Sequence, residues 1–284
     1  MHIVVCIKQV PDSAHIRVHP VTNTIMRQGV PAIVNPYDLF AIEAALRLKD
    51  QLGGRVTVMS MGPTQAEPAL RKAISLGCDE AILVTDRIFA GADTLATSYV
   101  LASAIRTLDK ELPVGLVFTG KQTIDGDTAQ VGPGIAKRLD MQLLTYVSRI
   151  VEVDPAQRRI VVERRAEGGV QILETAMPAL ITMLEGSNEI RFASTPGMFR
   201  AARATVRHWD RNAAGIEDIK LVGLKGSPTI VSRVFGPTPR AEKAKSIPFD
   251  PSDPDSSAAN LLEHLLNEMP KVRKELEQRR SGTQ

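Results

Sequence analysis

The chain has 284 residues, 43% hydrophobic and 24% charged, with a net charge of +3, the balance of a globular protein with ample material for a core. An aromatic content of 4% excludes a stacking platform for single-stranded nucleic acid, and basic residues spread along the chain exclude a dedicated nucleic-acid surface. Cys6 and Cys78 each fall in or beside an apolar element and give no disulfide framework.

Strand and helix patterns alternate from the first residue. His2–Ile7 reads as a strand, and His15–Ile33 as a small hairpin plus loop with Thr22-Asn23 at its turn. Asp38–Lys49 carries helical spacing through Ala41, Ala44, Ala45 and Leu48. Val56–Met59 (strand), Glu67–Leu76 (helix), Ala81–Val84 (strand), Thr94–Leu108 (helix) and Val114–Phe118 (strand) follow, then a helical pattern at Ile135–Leu139. Strands that are apolar throughout, alternating with helices, indicate a parallel sheet with helices on both faces, an α/β fold of the Rossmann-like kind.

The pattern changes after residue 145. Val147–Val153, Arg159–Arg165, Val170–Glu174 and Ala179–Thr182 read as a meander of antiparallel strands that extends the same domain. From about Phe192 regular structure is expected to give way to a proline-punctuated arm. The arm ends in an amphipathic helix through Leu261, Leu262, Leu265, Leu266, Met269, Val272 and Leu276, with Ser256 or Ser257 as its cap and Pro270 as a kink. Its apolar face needs the core or a second subunit to cover it. The expected division is a domain over 1–190 and a partner-binding arm over 191–284. No apolar run reaches about 18 residues, so no membrane span is expected. The N-terminus lacks the basic start of a signal peptide, and a cytoplasmic location is expected.

His2, His15, His19, His208 and His264 are too dispersed for a local metal site, and no Ser or Cys occupies a nucleophile-elbow context. Asp250–Asp255 resembles a calcium loop only superficially and reads as a linker. No metal and no catalytic acid or base is expected. Ligands of parallel α/β sheets bind at the carboxyl ends of the strands, and four loops fall there: Lys8–Asp12, Ser60–Pro63, Asp86–Thr94 and Gly120–Pro133. Asn35-Pro36-Tyr37-Asp38 opens a helix beside them. Several of these residues have plainer readings. Asn35 and Asp38 suit helix caps, Met61-Gly62-Pro63 a turn, and Lys8 a solvated strand end. Asp93 or Thr94 suits a cap, with Gly91 allowing close approach of a ligand. The Gly120 loop resists such a reading. Three glycines, two aspartates, two threonines and two glutamines in fourteen residues, ahead of a helix start, point to a bound phosphate.

Asn35-Pro36-Tyr37-Asp38, then Ala41-Ile42-Glu43-Ala44-Ala45-Leu46-Arg47-Leu48-Lys49, then Gly120-Lys121-Gln122-Thr123-Ile124-Asp125, resembles the β subunit of electron transfer flavoproteins. Val161–Gly169, continuing to Pro178–Thr182, is similar to that family's signature region, and the agreement runs from residue 1 to about 200. The resemblance implies a heterodimer whose α subunit holds one FAD while the β subunit's arm packs around it. Ordinary β subunits bind AMP. A second branch binds a full FAD and bifurcates electrons from NADH, and Asp125–Pro133 and Asp86–Thr94 resemble that branch, most of all its nitrogen-fixation-associated members.

Carried onto this chain, the resemblance places Cys6, Asn35, Asp38 and Met61 around the adenosine. Asp93, Thr94 and Thr97 fall toward the pyrophosphate and ribityl side, Thr128, Ala129, Gln130, Val131 and Gly132 at the pyrophosphate, and Arg87 near the flavin ring. Lys8, Gly62, Phe89, Ala90, Gly91, Gly120, Lys121, Gln122, Thr123, Asp125, Gly126 and Asp127 complete the expected cofactor set. Implied electron acceptors are a ferredoxin or flavodoxin and a quinone oxidoreductase-type flavoprotein. One departure stands out: in Arg191–Met198, Thr195 occupies the position where ordinary members present a Leu to acyl-CoA dehydrogenases. Phe192, Met198 and Phe199 offer another apolar patch. The alternatives are an AMP-binding, non-bifurcating β subunit and a stand-alone adenine-nucleotide-binding regulatory protein.

Overall fold

A computed structural model of the chain describes residues 1–12, 17–18, 25–26, 31–231 and 246–281. Its organising strand is β1 (His2–Cys6), buried at every position. Ile3 and Val5 point into one core cluster and Val4 and Cys6 into another, because successive side chains of a strand leave opposite faces. An apolar run without alternation is therefore the signature of a strand covered on both sides.

From β1 the chain passes through β2 (Gln9–Pro11), β3 (Arg17–Val18), β4 (Ile25–Met26) and β5 (Ala32–Val34) into α1 (Pro36–Leu52). β3 and β4 pair antiparallel, Arg17 opposite Met26 and Val18 opposite Ile25, as expected of a hairpin. The expected turn residues Thr22 and Asn23 lie outside the described residues. The α/β alternation continues through β6 (Arg55–Met61), α2 (Glu67–Leu76), β7 (Glu80–Val84), α3 (Thr94–Glu111), β8 (Val114–Gly120) and α4 (Val131–Leu139). Ile42 and Leu46 of α1 and Leu70 of α2 pack with Ile3 and Val5, whereas Val100 and Ile105 of α3 and Ile135 of α4 pack with Val4. Cys6 and Cys78 are free, buried, and in opposite clusters.

β9 (Gln142–Asp154), β10 (Arg159–Ala166), β11 (Gly169–Ala176) and β12 (Ala179–Met183) complete the left half of a nine-stranded sheet ordered β11-β10-β9-β12-β8-β1-β6-β7-β13. β9, β10 and β11 are antiparallel neighbours, as the meander predicts. β12 is not part of it. It inserts between β8 and β9, parallel to both, with all five residues buried. Ala-Leu-Ile-Thr-Met is apolar on both faces but for one threonine, and only an interior position of the sheet covers both faces.

The region after Phe192 also departs from expectation. α5 (Thr195–Arg203) packs against α2, and β13 (Arg207–Trp209) adds a ninth strand parallel to β7. The chain divides into compact units at Met1–Gly236 and Pro237–Gln284, the first of which includes α5 and β13. The second unit holds α6 (Pro254–Glu268) and α7 (Pro270–Ser281). Its cap is Asp253, which accepts from Ser256 N at 3.1 Å, not Ser256 or Ser257. Pro254 at the first helical position makes the preceding Asp the cap. Pro270 starts a new helix rather than kinking one. Among the described residues, no helix is long and apolar enough to cross a membrane.

β1 sits where the sheet's winding reverses: β6 and β7 lie to one side, β8, β12 and β9 to the other. The crevice at the carboxyl ends of β1 and β8 is thus the topological switch point. The interior placement of β12 predicts that Ile181→Ala, fully buried in the core, lowers stability by about 2–5 kcal/mol in urea unfolding. A loss below about 1 kcal/mol would mean a strand on an exposed edge.

Candidate functional site

The ends of β1 and β8 are joined through one carboxylate. Asp38, in the first turn of α1, accepts from Lys8 N at 2.7 Å with Oδ2 and from Gly120 N at 3.1 Å with Oδ1. Its side chain is buried, and burial pushes the carboxyl up to about 7 against the opposing pull of the Lys8 N–H, Asn35 and the Gly120 N–H. Hydrogen bonds to a charged acceptor contribute about 1.5–3 kcal/mol each, so they offset only part of the desolvation. Gly120 has to be glycine here. A Cβ would fall 2.5 Å from Asp38 Oδ1 and 2.6 Å from Tyr37 Cβ.

Asn35 does for the loop what Asp38 does for the strand. Its side chain makes no helix cap; Nδ2 donates to Gln122 O at 2.8 Å and Oδ1 accepts from Ile124 N at 3.1 Å. Asn35 N donates to Lys8 O at 2.9 Å. Lys8 is not simply solvated either, because its Nζ donates to both Asp125 oxygens, at 2.9 and 2.7 Å. Partial burial pushes the Asp125 carboxyl up, and the Lys8 ammonium more than offsets it, holding it below the usual carboxylate range. Gln122 donates to Asp127 Oδ1, and Lys121 Nζ stands 5.0 Å over the Tyr37 ring. The first half of the loop is therefore pinned from beneath.

The second half is shaped differently. Asp127 and Ala129 both have φ of 55°, left-handed geometry that an alanine adopts at a cost of about 1 kcal/mol or more. Left-handed residues at alternate positions are a backbone pattern found in anion-binding nests. Among the described residues, no backbone acceptor is found for the N–H groups of Thr128, Ala129 and Gln130, and α4 begins with no side-chain cap. Gly126 stands nearly open, with Thr123 Oγ1 at 3.5 Å from a built Cβ. Gly132 is buried and tight: a Cβ would meet Thr119 Oγ1 at 2.9 Å and Thr182 Cγ2 at 3.0 Å.

α3 brings a second helix start alongside. Thr94 Oγ1 donates to Gln130 Oε1 at 2.7 Å, joining the Asp86–Thr94 and Gly120–Pro133 loops. Gly134 lets the helices approach, since a Cβ there would lie 2.7 Å from Ser98. Asp93 caps α3 from Leu95 N at 2.9 Å and Ala96 N at 3.0 Å. The starts of α3 and α4 thus adjoin through Thr94 and Gln130.

The remaining expected residues divide. Thr97 and Met61 are half-buried at the rim, and Gly62 N donates to Val84 O at 3.1 Å. Arg87, Ala90 and Gly91 are exposed in the loop after β7. Phe89 is not available for stacking: its ring is buried in the core with Val100 and Trp209. The Cys6 thiol is buried, and burial pushes it up to about 12, so it packs without reacting. Sequence reasoning missed Tyr37, Thr119, Thr182 and Ser98, whose roles depend on which glycine they face.

Outside the crevice, Phe192 is 97% exposed, and Met198 and Phe199 are more than half exposed on α5. Arg191 anchors this tip, donating from Nε to Glu43 Oε2 at 2.8 Å and from Nη2 to Asp50 at 2.8 Å.

Residues 22–214 match the model of the electron transfer flavoprotein domain family. Protein FixA of Azotobacter vinelandii is 65% identical over 279 residues, covering 98% of this chain and 99% of that relative. Protein FixA of Azorhizobium caulinodans is 61% identical, covering 97% and 98%. Electron transfer flavoprotein subunit beta of Thermoanaerobacterium thermosaccharolyticum is 47% identical over 87% of this chain and 92% of its own length.

Asp38 predicts a pH signature. Its folded pKa, about 7, lies above its ordinary value of 3.8. Its contribution to stability is therefore fully present below the unfolded value and is lost as pH rises through 7. Wild-type stability minus that of Asp38→Asn should fall between pH 5 and pH 8.5, by at most about 3 kcal/mol. Urea unfolding of both proteins at the two pH values checks this, and a flat difference contradicts it.

Proposed function

The chain belongs to the electron transfer flavoprotein family, as a β-type subunit of the nitrogen-fixation-associated kind, and from that premise we propose that it binds FAD between β1 and β8. On this reading it pairs with an electron transfer flavoprotein α subunit in the cytoplasm. The complex takes electrons from NADH, passing one to a ferredoxin or flavodoxin and the other toward a quinone-linked flavoprotein. The observation that carries FAD over AMP is the second half of the loop. Left-handed Asp127 and Ala129, uncapped Val131 and Gly132, and an adjoining helix start at Thr94 give more anion-binding groups than one phosphate requires.

FAD, when bound, supplies the exchange between two-electron and one-electron transfer. The chain's own part is to hold it. Thr128–Gly132 offer N–H groups to the pyrophosphate, Gly126 leaves room beside them, and Asn35 and Asp38 keep the loop in register from below. Asn35 and Asp38 act on the ligand through backbone, because their polar side-chain atoms are taken up by the protein. Arg87 brings a cation to the flavin side and favours an anionic reduced ring. No side chain in the crevice is asked to transfer a proton.

The exposed tip at Phe192 supports docking of a redox partner. An exposed Phe192, following an Arg191 held by buried Glu43, offers an apolar anchor, with Met198 and Phe199 also exposed on α5. With Thr195 in place of the aliphatic anchor, the partner differs from an acyl-CoA dehydrogenase.

Acid extraction of the purified heterodimer should release two FAD and no AMP; one FAD with one AMP contradicts the reading. Arg87→Ala should lower the midpoint potential of the added flavin by roughly tens of millivolts in a spectroelectrochemical titration. Unchanged potentials would remove Arg87 from the site.

A further inference from the structure

The loop between β7 and α3 is held from a second direction. After β13 the chain returns to it as short 3-10 turns at Ile219–Leu221 and Gly223–Gly226. Gly223, with φ of 56°, lies so close that a Cβ would stand 2.0 Å from Ile88 O. Leu224 seats its side chain on Gly91, where a Cβ would meet Leu224 Cδ2 at 2.7 Å. The Ser227 hydroxyl donates to Gly223 O at 2.7 Å and accepts from Asp93 N at 2.8 Å. Thr229 donates to Asp93 Oδ2 twice, from Oγ1 at 2.8 Å and from N at 3.1 Å.

Asp93 is therefore shared. Oδ1 caps α3 at the crevice, while Oδ2 is held by a residue 136 positions later in the chain. Partial burial pushes its carboxyl up, and the Ala96 N–H and the Thr229 donors more than reverse that, keeping it an acceptor for both. The loop's own bonds run from 3.1 Å, Phe89 N to Asp86 O, to 3.3 Å, Ala92 N to Phe89 O. From outside, Arg211 N donates to Asp86 Oδ2 at 3.3 Å, and Ser227 and Thr229 add three hydrogen bonds, all at Asp93.

We propose that residues 222–229 form a strap that positions the Asp86–Thr94 loop against the bound dinucleotide, with Ser227 and Thr229 as positioning residues acting through Asp93. The inference rests on the reading of the crevice as an FAD site. Neither residue need touch the ligand. The strap fixes the N-terminus of α3 through Asp93, and so the groups that Thr94 brings to the Gly120 loop.

The test is a titration of the heterodimer, stripped of this subunit's nucleotide, with FAD. Wild type, Thr229→Val and Thr229→Ser are compared by affinity and by the visible circular dichroism of the added flavin. Thr229→Val should bind FAD roughly three- to tenfold more weakly, as expected for one partly exposed hydrogen bond to a carboxylate, and alter the flavin's dichroism. Thr229→Ser keeps the hydroxyl and should restore both. Thermal unfolding of the stripped complexes separates this from a general loss of fold. Equal affinity and dichroism in Thr229→Val and wild type overturn the strap alone. A wild-type complex that takes no FAD overturns the reading of the site, and the strap with it.

Discussion

The site depends on a buried carboxylate held by backbone. Asp38 takes an N–H from the end of β1 and another from the end of β8, fixing the spacing of the two strands between which the crevice opens. A carboxylate in a low-dielectric interior is expensive, and the two N–H donors offset only part of that cost, leaving its carboxyl raised. Its neighbours follow from it. Gly120 lacks a Cβ because Asp38 and Tyr37 fill that space, and Asn35, one turn earlier, reaches the start of the loop with its amide. The sheet's reversal puts the crevice in place, and Asn35 and Asp38 give it a fixed floor.

On that floor the loop has two unlike halves. From Lys121 to Asp125 it is tied down by Asn35 and Lys8. From Gly126 to Gln130 two non-glycine residues hold a left-handed conformation against their preference, and among the described residues no backbone acceptor is found for the N–H groups of Thr128, Ala129 and Gln130. Strain of this kind, kept where internal hydrogen bonds are few, is what a preorganised anion site requires. The similarity to the FixA protein of Azotobacter vinelandii covers 98% of the chain and that to the Thermoanaerobacterium thermosaccharolyticum β subunit 87%.

Much of the fold is legible in the sequence, for a physical reason. β1, β6, β7 and β8 are nearly all apolar, and the helices between them keep a periodic face, so alternation and parallel pairing follow. β12 is equally apolar, yet a strand buried on both faces carries no mark of which neighbours it will have. α5 escaped because its nine residues bury only Gly197 and Ala201 and leave Met198 and Phe199 exposed. At the site, Asn-Pro-Tyr-Asp fits a cap and a latch equally well until Gln122 and Gly120 are brought opposite. Phe89 reads as a ligand contact by its loop, but its ring turns inward. Ser227 and Thr229 lie far along the chain from Asp93 and leave no local signal.

The central claim is that the outward half of the Gly120 loop cradles a pyrophosphate, and a crystal structure of the heterodimer with its native nucleotide tests it most directly. The account predicts continuous density for FAD, with pyrophosphate oxygens about 3 Å from the N–H groups of Thr128–Gly132. Density for AMP alone, or a pyrophosphate lying away from those groups, would contradict it.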